Sequence, residues 1–101
     1  MKVKSQKEIK KNEFRKHKET KHPAYIYARV GNEYKYIGLT HSPITKKVKN
    51  IKLEKNPDPK DTKTAYFRPK AENDKVNKFK KKEIGWGFTK KDKQNINKYK
   101  K

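Results

Sequence analysis

The chain is 101 residues long, 42% charged and only 29% hydrophobic, with a net charge of +20 and no cysteine. Such a length sets one domain with a thin core. It rules out a disulfide framework and a thiolate metal site, and no apolar run approaches the ~20 residues of a membrane span. The N-terminus is basic but lacks the apolar stretch of a secretory signal, so the expected setting is soluble and cytoplasmic.

Residues 1–22 read as a basic N-terminal arm or helix. Ser5-Gln6-Lys7-Glu8 fits a capping box, which would start a helix at Gln6 running to about Lys18. Ile9 and Phe14 stand five apart and make no helical stripe. His22-Pro23 then punctuates the chain, and residues 23–101 read as a single small α+β domain.

The strongest local signal is Ala24 to Thr40, where two runs of β-formers flank Gly31-Asn32, a dipeptide suited to a type II′ turn. Uninterrupted pairing sets Val30 against Glu33, Tyr27 against Tyr36, Ile26 against Ile37 and Ala24 against Leu39. One face then holds Ala24, Ile26, Ala28, Val30, Ile37 and Leu39, and the other holds Tyr25, Tyr27, Tyr34, Tyr36 and Arg29.

Further on, Val48 to Leu53 reads as a strand with Ile51 and Leu53 on one face. Asn56 to Asp61 is a loop punctuated by two prolines. Thr62 to Arg68 is a fourth strand candidate, with Ala65 and Phe67 sharing a face and Pro69 ending it. Residues 70–85 are polar and read as a short helix or an ordered loop. Ile84-Gly85-Trp86-Gly87-Phe88 is apolar enough to plug one side of the sheet, and Thr89-Lys90-Lys91-Asp92 caps a last helix packed down by Ile96 and Tyr99. The expected architecture is α+β: a small antiparallel sheet of three to four strands, free to curl towards a barrel, with N- and C-terminal helices.

Of the 31 basic residues only Arg15, Arg29 and Arg68 are arginine. A codon bias towards lysine would raise glutamate as well, yet Asp and Glu together number 11. The excess of positive charge points to a polyanion, DNA or RNA, held chiefly by its phosphates with low sequence specificity. The nucleic-acid-binding candidates are Tyr25, Tyr27, Arg29, Tyr34, Lys35, Tyr36 and Arg68: rings on which bases stack, flanked by cations. A competing assignment makes the tyrosines a second core face, covered by Trp86, Phe88 and the last helix. A division between buried and open rings is the intermediate expectation.

Tyr25-Ile26-Tyr27 followed by Tyr36-Ile37-Gly38-Leu39-Thr40 resembles the paired motifs of the GIY-YIG nucleases. The resemblance covers residues 25–40 and implies metal-dependent DNA cleavage, with Tyr27 and Tyr36 as the motif tyrosines and Glu72 or Glu83 as the metal ligand. Tyr25 stands where that family has glycine, the spacer of eight residues is short, and residues 44–52 offer lysines where an arginine is expected.

A second set, His22, His41, Ser42, Asp61 and Arg68, falls at strand ends and turns. Histidine works as an acid or base near neutral pH, and arginine stabilises a charged phosphorus centre, as in metal-independent ribonucleases. The expectation is therefore a small nucleic-acid-binding protein. The alternatives are a small nuclease (catalytic candidates Tyr27, Tyr36, His41 and Arg68) or an interaction protein with an acidic protein partner. No cofactor pattern is legible, since the four glycines form no phosphate loop. With three His and few spaced carboxylates, no metal site is legible from the residues alone.

Overall fold

The structure, a computed structural model, describes residues 7–100. In chain order β1 (Glu8–His17), β2 (Pro23–Val30), β3 (Glu33–Thr40), β4 (Ile44–Thr45), β5 (Val48–Lys49), β6 (Ile51–Lys52), β7 (Tyr66–Lys75) and β8 (Phe79–Lys82) precede one helix, α1 (Lys90–Asn97). Six strands form an open antiparallel sheet in the order β6-β7-β3-β2-β1-β8, and β4 pairs with β5 as a separate hairpin. The protein is therefore mostly sheet. The α+β expectation of three or four strands, barrel-like and helical at both ends, is corrected on strand number, on closure and at the N-terminus.

The N-terminal correction has a physical cause. Phe14 alone cannot hold a helix down, whereas β2 presents an unpaired edge that a strand satisfies along its length. Glu8 to Lys16 accordingly pair with Val30 to Pro23, and Phe14 meets Tyr25 with ring centroids 5.5 Å apart. Ser5 and Gln6 of the supposed capping box lie outside the described residues. The second correction concerns Pro69. It does not end the fourth strand: β7 runs on to Lys75 because the proline falls inside a register slip, between Leu39↔Phe67 and Ile37↔Ala71, where no ladder donor is required.

The central hairpin has the expected tip. Gly31 has φ 58, and Val30 pairs with Glu33. Three pairs from the tip, one residue is inserted on β2: Ala28 faces Lys35, yet Ile26 faces Tyr36 and Tyr25 faces Ile37. Tyr27 is the extra residue, and β1 slips at the same level, between Lys10 and Glu13. A bulge inverts the alternation beyond it. Tyr25 and Tyr27 consequently join Phe14, Ile37, Leu39, Leu53, Phe67 and Ile96 in one core, while Tyr34 joins Ala24, Ile26 and Phe79 in a second, with Tyr36 packed against it.

The first core is covered by α1 and by Trp86, Phe88 and Tyr99. Ile84, from the same apolar run, is 81% exposed. The helix begins as expected: Thr89 Oγ1 accepts from the Asp92 backbone N–H at 3.1 Å. Its anchor is less expected. The buried Asp92 carboxylate accepts the backbone N–H groups of Glu54 (2.8 and 2.9 Å) and Lys55 (3.2 Å), fixing α1 to the segment after β6. Asp92→Ala leaves those part-buried donors without their carboxylate and should cost about 2 kcal/mol. Urea denaturation of the full chain measures that loss, and Asp92→Asn, which keeps one acceptor, should fall between.

Candidate functional site

The three strands at the centre of the sheet converge on a cleft of about 160 Å³ on the second-core side. Its floor is Tyr36, Gly38 and Thr40 of β3 and Ala24 of β2. One wall is the β1–β2 turn, with His17, Thr20 and His22, and the opposite wall is β7, with Arg68 and Glu72. Thr45 of the β4–β5 hairpin closes the side. That volume is below the 300 Å³ or so at which small-molecule and cofactor sites begin, and suits a single phosphate or sugar.

The β1–β2 turn is built on His17, which is 6% exposed. Its Nδ1 accepts the backbone N–H groups of Glu19 (3.2 Å) and Thr20 (3.4 Å), so the ring proton sits on Nε2, which donates to Asp74 Oδ2 at 2.7 Å. The His17 backbone N–H donates to the His22 carbonyl at 3.0 Å, and the His22 N–H to Thr20 Oγ1 at 3.2 Å. The backbone of His22 is thus fixed while its exposed imidazole remains at the rim of the cleft. The hydrogen bond from His17 holds the Asp74 carboxyl below its ordinary range.

On the other wall the register slip at Pro69 turns Arg68 across β3, its stem lying over Gly38. Among the described residues its guanidinium has one acidic neighbour, Glu72, at 3.9 Å, too long to occupy its donors. Tyr36 faces Glu72 in the ladder. Burial first, then the charges of Glu72 and Asp74, push its phenol up to about 12 against the opposing effect of Arg68. The Tyr36 hydroxyl therefore keeps its proton at neutral pH and serves as a donor. Guanidinium, phenol and threonine hydroxyls together form a donor set that fits an oxyanion.

His41 lies in an adjoining hollow with Lys16, Lys21, Asp61 and Trp86, which shares His22, Pro23, Leu39 and Thr40 with the cleft. Its Nε2 meets Asp61 Oδ2 at 2.6 Å. Ser42 is consumed by its own turn, its hydroxyl donating to the Ile44 carbonyl.

The remaining candidates are placed elsewhere. Tyr25, Tyr27 and Tyr34 are buried, 0%, 6% and 3% exposed, so their faces are closed to bases. The cations on Tyr25 and Tyr27 are internal: Lys93 lies 4.7 Å and Lys100 5.3 Å from the Tyr25 ring centre, and Lys100 5.5 Å from that of Tyr27. Lys93 also donates to the Tyr25 hydroxyl. Arg29 Nε donates to the Gly31 carbonyl at 2.9 Å, and Lys35 Nζ to Glu8 at 2.9 Å. Both stand towards the hairpin tip, Arg29 pairing with Tyr34 and Lys35 preceding Tyr36 with its side chain on the other face, and neither lines the cleft. The residues that sequence reasoning missed are His17, Thr20 and Asp74. His17 and Asp74 are 57 positions apart and meet only because β7 continues past Pro69, for which the polar run after it gave no signal.

Tyr27 and Tyr36, which the nuclease resemblance would bring together, belong to different cores. Among the described residues no three His, Cys, Asp or Glu side chains are grouped to hold a metal ion. Among the same residues no helix is long and apolar enough to cross a membrane. No protein-family model, curated protein or solved structure matches this chain.

Spectrophotometric titration in alkali should show the Tyr25 and Tyr36 phenols ionising only near pH 12, against an ordinary value of 10.0. A raised folded value means the fold holds the proton more tightly than the unfolded chain does. That stabilisation is intact below about pH 10 and lost as pH rises towards 12. Tyr36→Phe should remove one late-ionising phenol from the curve.

Proposed function

We propose that this protein binds nucleic acid through its phosphates, with the cleft between the β1–β2 turn and β7 as the anchoring point and little base specificity. The observation that carries this reading is the disposition of charge. Several acids are spent on other cations, Glu8 on Lys35, Glu13 on Arg15 and Lys11, and Glu19 on Lys78, and the acid that lines the cleft, Glu72, lies 3.9 Å from Arg68. Lys16, Lys18 and Lys21 at the turn and Lys46, Lys47 and Lys49 on the β4–β5 hairpin have no acidic partner among the described residues. They flank a phosphate-sized recess that already holds a guanidinium and a phenol donor.

The hairpin tip supports the same reading. Lys46 and Lys47 have φ of 49 and 69, a conformation that costs a side-chain-bearing residue about 1 kcal/mol and that Asn-Gly adopts more readily. Two lysines held there against local preference place two charges at the tip of an exposed ribbon.

Fluorescence anisotropy with single- and double-stranded DNA and RNA over a salt series tests the proposal. Affinity should fall steeply with salt, and Arg68→Ala should weaken binding about tenfold and lower the salt slope by about one. Arg29→Ala, outside the cleft and already bonded to the Gly31 carbonyl, should weaken it less. No binding at low salt overturns the reading, as does affinity confined to acidic proteins. Replacing Lys46-Lys47 by Asn-Gly should stabilise the chain by about 1–2 kcal/mol while lowering the salt slope by about two.

A further inference from the structure

We infer that the cleft cuts RNA by internal transphosphorylation, with Glu72 as the base, His22 as the acid, and Arg68 and Tyr36 holding the phosphate. The inference rests on the phosphate-binding reading above and names its substrate class. It is carried by what meets in one recess: a carboxylate on one wall, an imidazole on the other, and two donors between them.

The chemistry needs only these groups. Glu72 takes the proton of a ribose 2′-hydroxyl, and that oxygen forms a bond to the adjacent phosphorus. The bond from phosphorus to the 5′-oxygen breaks, its electron pair leaves with that oxygen, and His22 supplies the proton. The products are a 2′,3′-cyclic phosphate and a 5′-hydroxyl end. Glu72 and His22 exchange protons with water to reset, so no metal, oxidant or second substrate enters. Arg68 and the Tyr36 hydroxyl stabilise the charge that builds on the non-bridging oxygens, where fixed donors have their largest effect.

The placement suits an in-line displacement, in which the entering and leaving oxygens lie on opposite sides of phosphorus. Glu72 is on β7 and His22 in the turn just before β2, with β3 between β7 and β2. Glu72 is level with Tyr36 and His22 with Thr40. Two strand spacings and a stagger of about four residues set their backbones roughly 16 Å apart, a span that one phosphate bridges when both side chains reach inward. The other titratable groups of the cleft are engaged. His17 has both ring nitrogens committed, to Asp74 and to the turn, so it is a positioning residue for His22. The Tyr36 phenol is too weak an acid to act as a base at neutral pH. His41 is on the adjoining hollow and does not line the cleft.

The test uses the full-length chain, an end-labelled RNA oligonucleotide, and the same oligonucleotide with 2′-deoxyribose throughout, in excess chelator. The wild-type chain should bind both, cut only the RNA, and leave 2′,3′-cyclic phosphate ends. Glu72→Gln and His22→Ala should each slow cleavage by about 10²–10⁴-fold while binding the deoxy strand within about threefold of wild type, a measure that also reports folding. Binding without cleavage, cleavage only with a divalent metal, cutting of the deoxy strand, or variants that cut at the wild-type rate would each overturn the inference and leave the binding proposal standing. Failure to bind either strand at low salt would overturn both.

Discussion

The inserted residue at Tyr27 is the constraint on which the rest of this molecule depends. Side-chain alternation along a strand is a parity rule, and one extra residue reverses parity for everything beyond it. Without the bulge Tyr25, Tyr27, Tyr34 and Tyr36 would share one face; with it, Tyr25 and Tyr27 enter one core while Tyr34 and Tyr36 turn to the other. For a chain with so few apolar residues that division matters, because a six-stranded sheet has two faces to cover. Each large ring brings of order 150–250 Å² of burial, and two rings on each side give both faces a nucleus. The first nucleus is completed by Phe14, Trp86 and Phe88 and takes the helix. The second has Phe79 in edge contact with His17, Tyr34 and Tyr36 at 5.1–5.4 Å and takes no α-helix, only Val76 of the short 3-10 turn after β7. The thinner cover on that side is what leaves room for a recess.

The recess is in turn held by two irregularities that compensate each other. On β7, a proline without an N–H forces a slip that would weaken an ordinary strand, and the slip is what throws Arg68 across Gly38. On the opposite wall, a buried imidazole replaces the hydrogen bonds that a tighter turn would make for itself. His17 accepts from two turn amides and passes its own proton to Asp74 beyond β3 and β2. Because that bond joins β1 to β7, the two walls are tied together and the spacing between them is fixed by side chains as well as by the ladder. A site assembled in this way is rigid at its base and free only at its rim, where His22 stands.

The hairpin, its turn, the loop of prolines and the capped last helix were legible because each depends on local chemistry: Gly31 supplies the positive φ, and Thr89 supplies the cap. The strand at residues 8–17 was not legible, since of its two apolar residues, Ile9 and Phe14, only Phe14 is buried and its stability comes from the edge it covers. Nor was the second half of β7, where Ala71 to Lys75 has no alternating pattern and is specified by its partner β3. Of the cleft, Tyr36 and Arg68 were singled out for their chemistry and His22 for its place at a turn. Glu72 entered only through the nuclease resemblance, as a metal ligand. The tyrosine ribbon was read on the wrong parity because a bulge leaves no mark in hydrophobic alternation until its partner strand is known. His17 and Asp74 carried no signal at all, being distant in sequence and individually ordinary.

The distribution of charge follows from the same scarcity. A chain with 11 acids and 31 bases cannot neutralise itself, and self-repulsion at +20 opposes compaction. Four of the acids fasten something: Asp92 holds the helix, Asp74 holds His17, Glu8 ties β1 to β3, and Glu19 ties the β1–β2 turn to the turn between β7 and β8. What is left over is cationic and lies where no fastening is needed, at the turn and the ribbon beside the cleft. Any polyanion that engages the folded surface and not the loose chain relieves that repulsion and stabilises the fold by mass action. Fold and partner are then coupled through one quantity, the positive charge that the structure leaves unpaired.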